Sequence, residues 1–84
     1  MNISASEARA INVEFTQDSF VVFLADGRTL SVPKTWFPPL CDATDEQLSN
    51  YIISGGGIGL HWDELDEDIY VPGLLLGNKQ QSVA

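Results

Sequence analysis

Residues 20–33 read Phe20-Val21-Val22-Phe23-Leu24-Ala25-Asp26-Gly27-Arg28-Thr29-Leu30-Ser31-Val32-Pro33, and the fold class turns on them. The first five are β-branched or aromatic and apolar on both faces, which suits a central strand. Asp26-Gly27 is a favoured pair for a two-residue type I′ hairpin turn, in which both central residues need positive φ. The chain then returns with Leu30 and Val32 facing inward and Pro33 closing the strand. Upstream, Ile11, Val13 and Phe15 alternate with Asn12, Glu14 and Thr16, the period of a strand with one buried face, and Gln17-Asp18 interrupts it. The pattern predicts a three-stranded antiparallel meander, with the hairpin strands near 19–25 and 28–32.

Beyond Pro33 the periodicity is lost. Pro38 and Pro39 deny a regular helix to 34–42, leaving at most a turn, and Trp36, Phe37 and Leu40 are expected to cover a sheet face. Thr44-Asp45-Glu46-Gln47 has the spacing of a capping box, and Leu48, Tyr51 and Ile52 fall three and four apart. These residues predict a helix running to Ser54 and capped by Gly55-Gly56-Gly57. Ile58, Leu60 and Trp62 alternate with Gly59 and His61 as a fourth strand, Ile69-Tyr70-Val71 is a short extended piece, and Pro72-Gly73 turns into Leu74-Leu75-Leu76. The expected fold is α+β: an antiparallel meander of three to four strands, with one main helix and short helical turns packed on one face. One domain is expected over 10–77. Residues 1–9 are a loose lead-in, with Ser4 and Glu7 spaced for a brief capped turn, and 78–84 a frayed polar tail. The expected core is Val13, Phe15, Val22, Leu24, Leu30, Val32, Trp36, Leu48, Ile52, Leu60, Trp62, Ile69 and Leu75, with Phe20, Val21 or Phe23 as candidates for the other sheet face.

Composition agrees with one ordered domain: 84 residues, 44% hydrophobic and 19% charged. A single cysteine, Cys41, excludes an intramolecular disulfide and a multi-cysteine metal site, and fits a reducing compartment. No apolar run approaches the roughly 18 residues of a spanning helix, and the first ten residues lack the features of a signal peptide, so a cytoplasmic protein is expected. The net charge of −8 is distributed unevenly. No Lys or Arg occurs from 35 to 78, a stretch that holds Asp42, Asp45, Glu46, Asp63, Glu64, Asp66, Glu67 and Asp68. Elsewhere Glu7, Glu14, Asp18 and Asp26 balance Arg9, Arg28, Lys34 and Lys79. Such a balance opposes contact with nucleic acid or an anionic membrane, both of which call for cationic side chains.

The motifs that could carry chemistry are few. Gly55-Gly56-Gly57-Ile58-Gly59 lies before a strand rather than before the helix that a phosphate cradle needs. The acids of 63–68 lack the turn glycine and distal glutamate of a calcium loop. His61, the only histidine, has Asp63 nearby as a general-base arrangement would, but no nucleophile at a family spacing. Cys41 sits in a cation-free stretch that disfavours a thiolate. No catalytic, cofactor or metal residues are assigned from these patterns.

Four stretches in order, DGRTLSVP at 26–33, TWFPPL at 35–40, GGGIGLHW at 55–62 and LDEDIYVPGLLLG at 65–77, resemble the bacterial family called domain of unknown function 2442. The resemblance spans about residues 10–77 and implies a small α+β domain with no established reaction. It also implies two kinds of relative: those in two-gene arrangements suggestive of toxin–antitoxin pairing, and those fused to a helix-turn-helix domain, for which no room is expected after Val71. Pro39, where many relatives carry a basic residue, and Asp63, where proline is common, move this chain further from a nucleic-acid role. The leading expectation is a non-enzymatic, antitoxin-like module that binds a small basic protein through Asp63, Glu64, Asp66, Glu67, Asp68, Leu74 and Leu75. The alternatives are a DNA-linked regulator component and a small metal-dependent hydrolase using His61 with the acidic loop.

Overall fold

The structure, a computed structural model, describes residues 8–77. Two three-stranded antiparallel sheets share one core with three short helices. The order is β1 (Ala10–Phe15), β2 (Ser19–Leu24), β3 (Thr29–Pro33), α1 (Pro38–Cys41), α2 (Asp45–Ser49), β4 (Ile52–Ser54), β5 (Gly59–Trp62), β6 (Glu67–Tyr70) and α3 (Val71–Leu75). The expected capped turn at Ser4–Glu7 and the polar tail lie outside the described residues.

β1, β2 and β3 form a meander in that spatial order, but the expected fourth strand does not extend it: as β5 it pairs with β4 and β6 in a second sheet. Phe20, Val22 and Leu24 alternate inward at 0%, 0% and 2% exposure, so Phe20 belongs to the core and only Val21 and Phe23 occupy the half-buried outer face. On β1 the pairing slips between Ala10 and Asn12, inserting Ile11 as a bulge. The slip lets Ala10 and Val13 face the same side, and it leaves Ile11 62% exposed despite the alternation.

The hairpin turn has three residues rather than two. Leu24 N–H donates to the Arg28 carbonyl (2.9 Å) and Gly27 N–H to the Leu24 carbonyl (3.0 Å), while among Ala25, Asp26 and Gly27 only Gly27 has positive φ, at 96°. That is a turn followed by a left-handed bulge residue, and Asp26 has no need of the positive φ a type I′ turn demands. The Asp26 carboxylate accepts from Arg28 N–H (3.0 Å) and Nε (2.7 Å). These bonds, the backbone one first, hold the Asp26 carboxyl below the usual carboxylate range.

After β3 a 3₁₀ turn at Lys34–Trp36 leads into α1, whose first turn contains the prolines. The prolines fit a single turn, in line with the expected lack of a longer helix, because the first helical positions need no N–H partner. Phe37 and Leu40 are buried and Trp36 half-buried, covering the sheet face as expected.

The capping box forms: Gln47 N–H donates to Thr44 Oγ1 (3.1 Å) and Thr44 N–H to Gln47 Oε1 (2.9 Å). The helix it opens is only five residues long, and among the described residues no helix is a main one. After Asn50 the chain extends, and Ile52–Ser54 pairs with β5 instead of continuing the helix. Tyr51 is turned back to β1, where its hydroxyl accepts from Val13 N–H (3.2 Å) and donates to Asn12 Oδ1 (3.0 Å). Ile52, expected in the core, faces outward at 47% exposure.

The glycine cluster is therefore not a helix cap. It forms the 3₁₀ turn between β4 and β5, and at Gly57 a Cβ would stand 2.8 Å from the Ala10 carbonyl oxygen and from Arg9 Cβ. With φ at 108°, Gly57 lets this loop close against the start of the first sheet. β5 pairs with β6, and Val71 N–H donates to the Ile58 carbonyl (2.7 Å) where α3 begins. The segment expected as a turn into an apolar cluster is thus a short helix with Pro72 in its first turn. The centre of the core is Phe20, Val22, Val32, Leu40, Leu48, Leu60, Trp62 and Val71, while Phe15, Leu30, Trp36 and Leu75 are half-buried at its margin.

Candidate functional site

The β5–β6 hairpin collects the chemistry-bearing side chains. Its register sets Trp62 opposite Glu67 and His61 opposite Asp68, so alternation sends the first pair inward and the second outward. Trp62 is 1% exposed and its Nε1–H donates to the Leu48 carbonyl (3.0 Å), which ties the hairpin to α2. The loop 63–66 closes with Asp66 N–H on the Asp63 carbonyl (3.2 Å), and Asp66 takes a left-handed φ of 52°, a conformation that Asp tolerates better than most residues.

On the outer face His61 is held from both sides. Its Nδ1 lies 2.5 Å from Asp68 Oδ1 and its Nε2 2.5 Å from Asp63 Oδ1. Hydrogen bonds to Asp68 first, then to Asp63, raise the His61 pKa above its ordinary 6.5. The arrangement suits an imidazolium whose two N–H groups each donate to a carboxylate. A neutral ring could donate at only one nitrogen. With both nitrogens engaged, the ring has no lone pair for a substrate proton unless one aspartate gives way. Among the described residues, no group of three His, Cys, Asp or Glu side chains is placed to hold a metal ion. Asp63 is legible as a neighbour two residues from His61; Asp68 is reached only through the hairpin register, and its signal is the strand pairing of 59–62 with 67–70.

The other sequence-derived candidates divide by burial. Asp63, Glu64, Asp66 and Asp68 are exposed, whereas Glu67 is 3% exposed and faces inward beside Trp62. Leu74 is 4% exposed, Leu75 half-buried and Leu76 68% exposed. Gln47 Nε2 donates to Glu64 Oε2 (2.9 Å), joining the first turn of α2, with Asp45 and Glu46, to the loop. Seven of the eight acids between 35 and 78 are exposed, Glu67 being the exception. Cys41 is exposed. No helix of the described residues is long and apolar enough to cross a membrane.

A family model described as protein of unknown function (DUF2442) matches residues 10–80. The chain belongs to this family. Two solved structures share its fold. A protein of unknown function from Rhodospirillum rubrum ATCC 11170, in a crystal structure, is 35% identical with a TM-score of 0.77, over 90% of this chain and 94% of that one. An uncharacterized protein from Chromobacterium violaceum, in a solution NMR structure, is 29% identical with a TM-score of 0.74, over 88% of this chain and 70% of that one. No curated protein matches the sequence.

Proposed function

We propose that the protein is a non-enzymatic interaction module that binds a basic protein, in the manner of an antitoxin-like member of a two-protein pair. The observation that carries this reading is the continuity of exposed carboxylates from α2 to the β5–β6 loop, joined at the Gln47–Glu64 bond, in a segment with no Lys or Arg to neutralise them. The contact surface is Asp45 and Glu46 with Asp63, Glu64, Asp66 and Asp68. Glu67 and Leu74 act from within, holding the hairpin and α3 on the core. The His61 bridge fixes the two ends of the loop, so its acids are presented in one arrangement and less ordering is needed on binding.

Such a field acts mainly on the rate and orientation of encounter. The test recovers basic proteins from native lysate and measures their association with the purified chain across salt concentrations. The variant Glu46→Gln, Glu64→Gln, Asp66→Asn leaves the His61 bridge intact. It should slow association about tenfold at low salt and flatten its salt dependence. An unchanged rate at every salt concentration would refute the reading.

A further inference from the structure

A groove of about 670 Å³ lies between β1 and α2, with Phe15 and Tyr51 among its apolar lining and Glu14, Asp45 and Ser49 among its polar lining. β1 is an edge strand, and among the described residues no strand lies on its far side. Its backbone direction can be read from two bonds. Thr16 N–H donates toward β2, to the Ser19 carbonyl (2.9 Å), whereas Val13 N–H points the other way, to the Tyr51 hydroxyl (3.2 Å). By the alternation of an antiparallel ladder, the N–H and C=O of Phe15 also point away from β2, along the groove.

Resting on the reading of a basic partner, we propose that this edge accepts an extended segment of that partner as a fourth strand beside β1, with Lys or Arg at alternate positions. Charge complementarity selects this occupant. Glu14 and Asp45 line the groove, both are exposed, and no Lys or Arg lines it. On an added strand, one set of side chains lies beside Glu14 on the outer face, where opposite charges on adjacent strands attract. The other, apolar set packs over the Phe15 and Tyr51 rings, whose centroids are 5.9 Å apart. A second copy of the chain is the wrong occupant: pairing β1 with itself brings Glu14 near its own copy and joins two chains of net charge −8. Tyr51 holds the place of the missing strand, since its hydroxyl occupies the Val13 N–H that a strand carbonyl would take.

The probe is a short acetylated and amidated peptide alternating Val with Lys or Arg, and the control has Glu at the cationic positions. On the full chain, the basic peptide should slow amide exchange at Phe15 about tenfold or more at saturation. The control should leave it unchanged. Glu14→Lys, checked for an intact spectrum, should weaken binding about tenfold. Tyr51→Phe, which frees the Val13 N–H, should bind at least as tightly as the parent. Binding that perturbs only 63–68 and leaves Phe15 unprotected would overturn strand addition while the acidic-surface reading stands. Protection of Phe15 in a peptide-free dimer would overturn it in favour of a second copy. No binding of the basic peptide would also overturn strand addition, and the triple-amide variant tests the acidic surface independently.

Discussion

His61 gains its proton more readily in the folded chain than in the unfolded one, because Asp68 and Asp63 accept from its ring. Its contribution to stability is thus present in full below the ordinary value of 6.5 and is lost as pH rises through the higher folded value. Urea midpoints measured from pH 6.5 upward should fall more for the parent than for His61→Gln, which has no proton to lose. Parallel curves would mean that the bridge does not alter the titration. Gly27 offers a second test at this scale. A Cβ there meets nothing within 4 Å, so the cost of Gly27→Val is backbone strain at φ 96°, about 1 kcal/mol or more. Gly27→Asn should cost less, since Asn tolerates the left-handed region, and equal midpoints for the two variants would contradict the assigned geometry.

At the scale of elements, Gly57 is more demanding than Gly27 because conformation and space both exclude a side chain. A Cβ at 2.8 Å from the Ala10 carbonyl must push the β4–β5 turn off the first sheet, so Gly57→Ala should lose roughly 1–3 kcal/mol, more than Gly27→Ala in the same denaturant series. Thr44→Ala should lose about 1 kcal/mol by removing one half of the capping box. The two ends of α2 differ in how much the sequence says about them. Its start is legible because Thr44 and Gln47 carry a local hydrogen-bond code. Its end is not, because Tyr51 and Ile52 continue the three-and-four spacing from Leu48 although Tyr51 is committed to Val13 and Asn12, some forty residues earlier in the chain. β4 is only three residues long, too short to show a period. The meander is legible because alternation persists through β2 and β3, but the Ile11 bulge is invisible to alternation and required the β1–β2 register. The same holds for the candidate site: the acids are plain in the sequence, yet which of them face water and which grip His61 depends on the pairing of β5 with β6.

For the whole molecule, a net charge of −8 with its excess confined to 35–78 repels itself when folded. Raising ionic strength from about 10 mM to 150 mM shortens the screening length from about 30 Å to about 8 Å. The thermal midpoint should rise over that range, and by less in the Glu46→Gln, Glu64→Gln, Asp66→Asn variant. A midpoint that falls with salt would show attractive pairs outweighing the repulsion. The arrangement of the strands has a different consequence. Among the described residues every strand pair joins neighbours in the chain, within 10–33 for one sheet and within 52–70 for the other, and no ladder crosses between the two stretches. Each sheet can therefore zip from its own hairpins before the two meet, which favours rapid folding for a protein so rich in strand. The connector through α1 and α2 contributes contacts but carries no strand order. A chain cut within it, at the exposed Asp42, keeps both ladders whole on separate pieces. Two such pieces, expressed apart and mixed, should reassemble into the native molecule, which makes this small fold a natural split reporter.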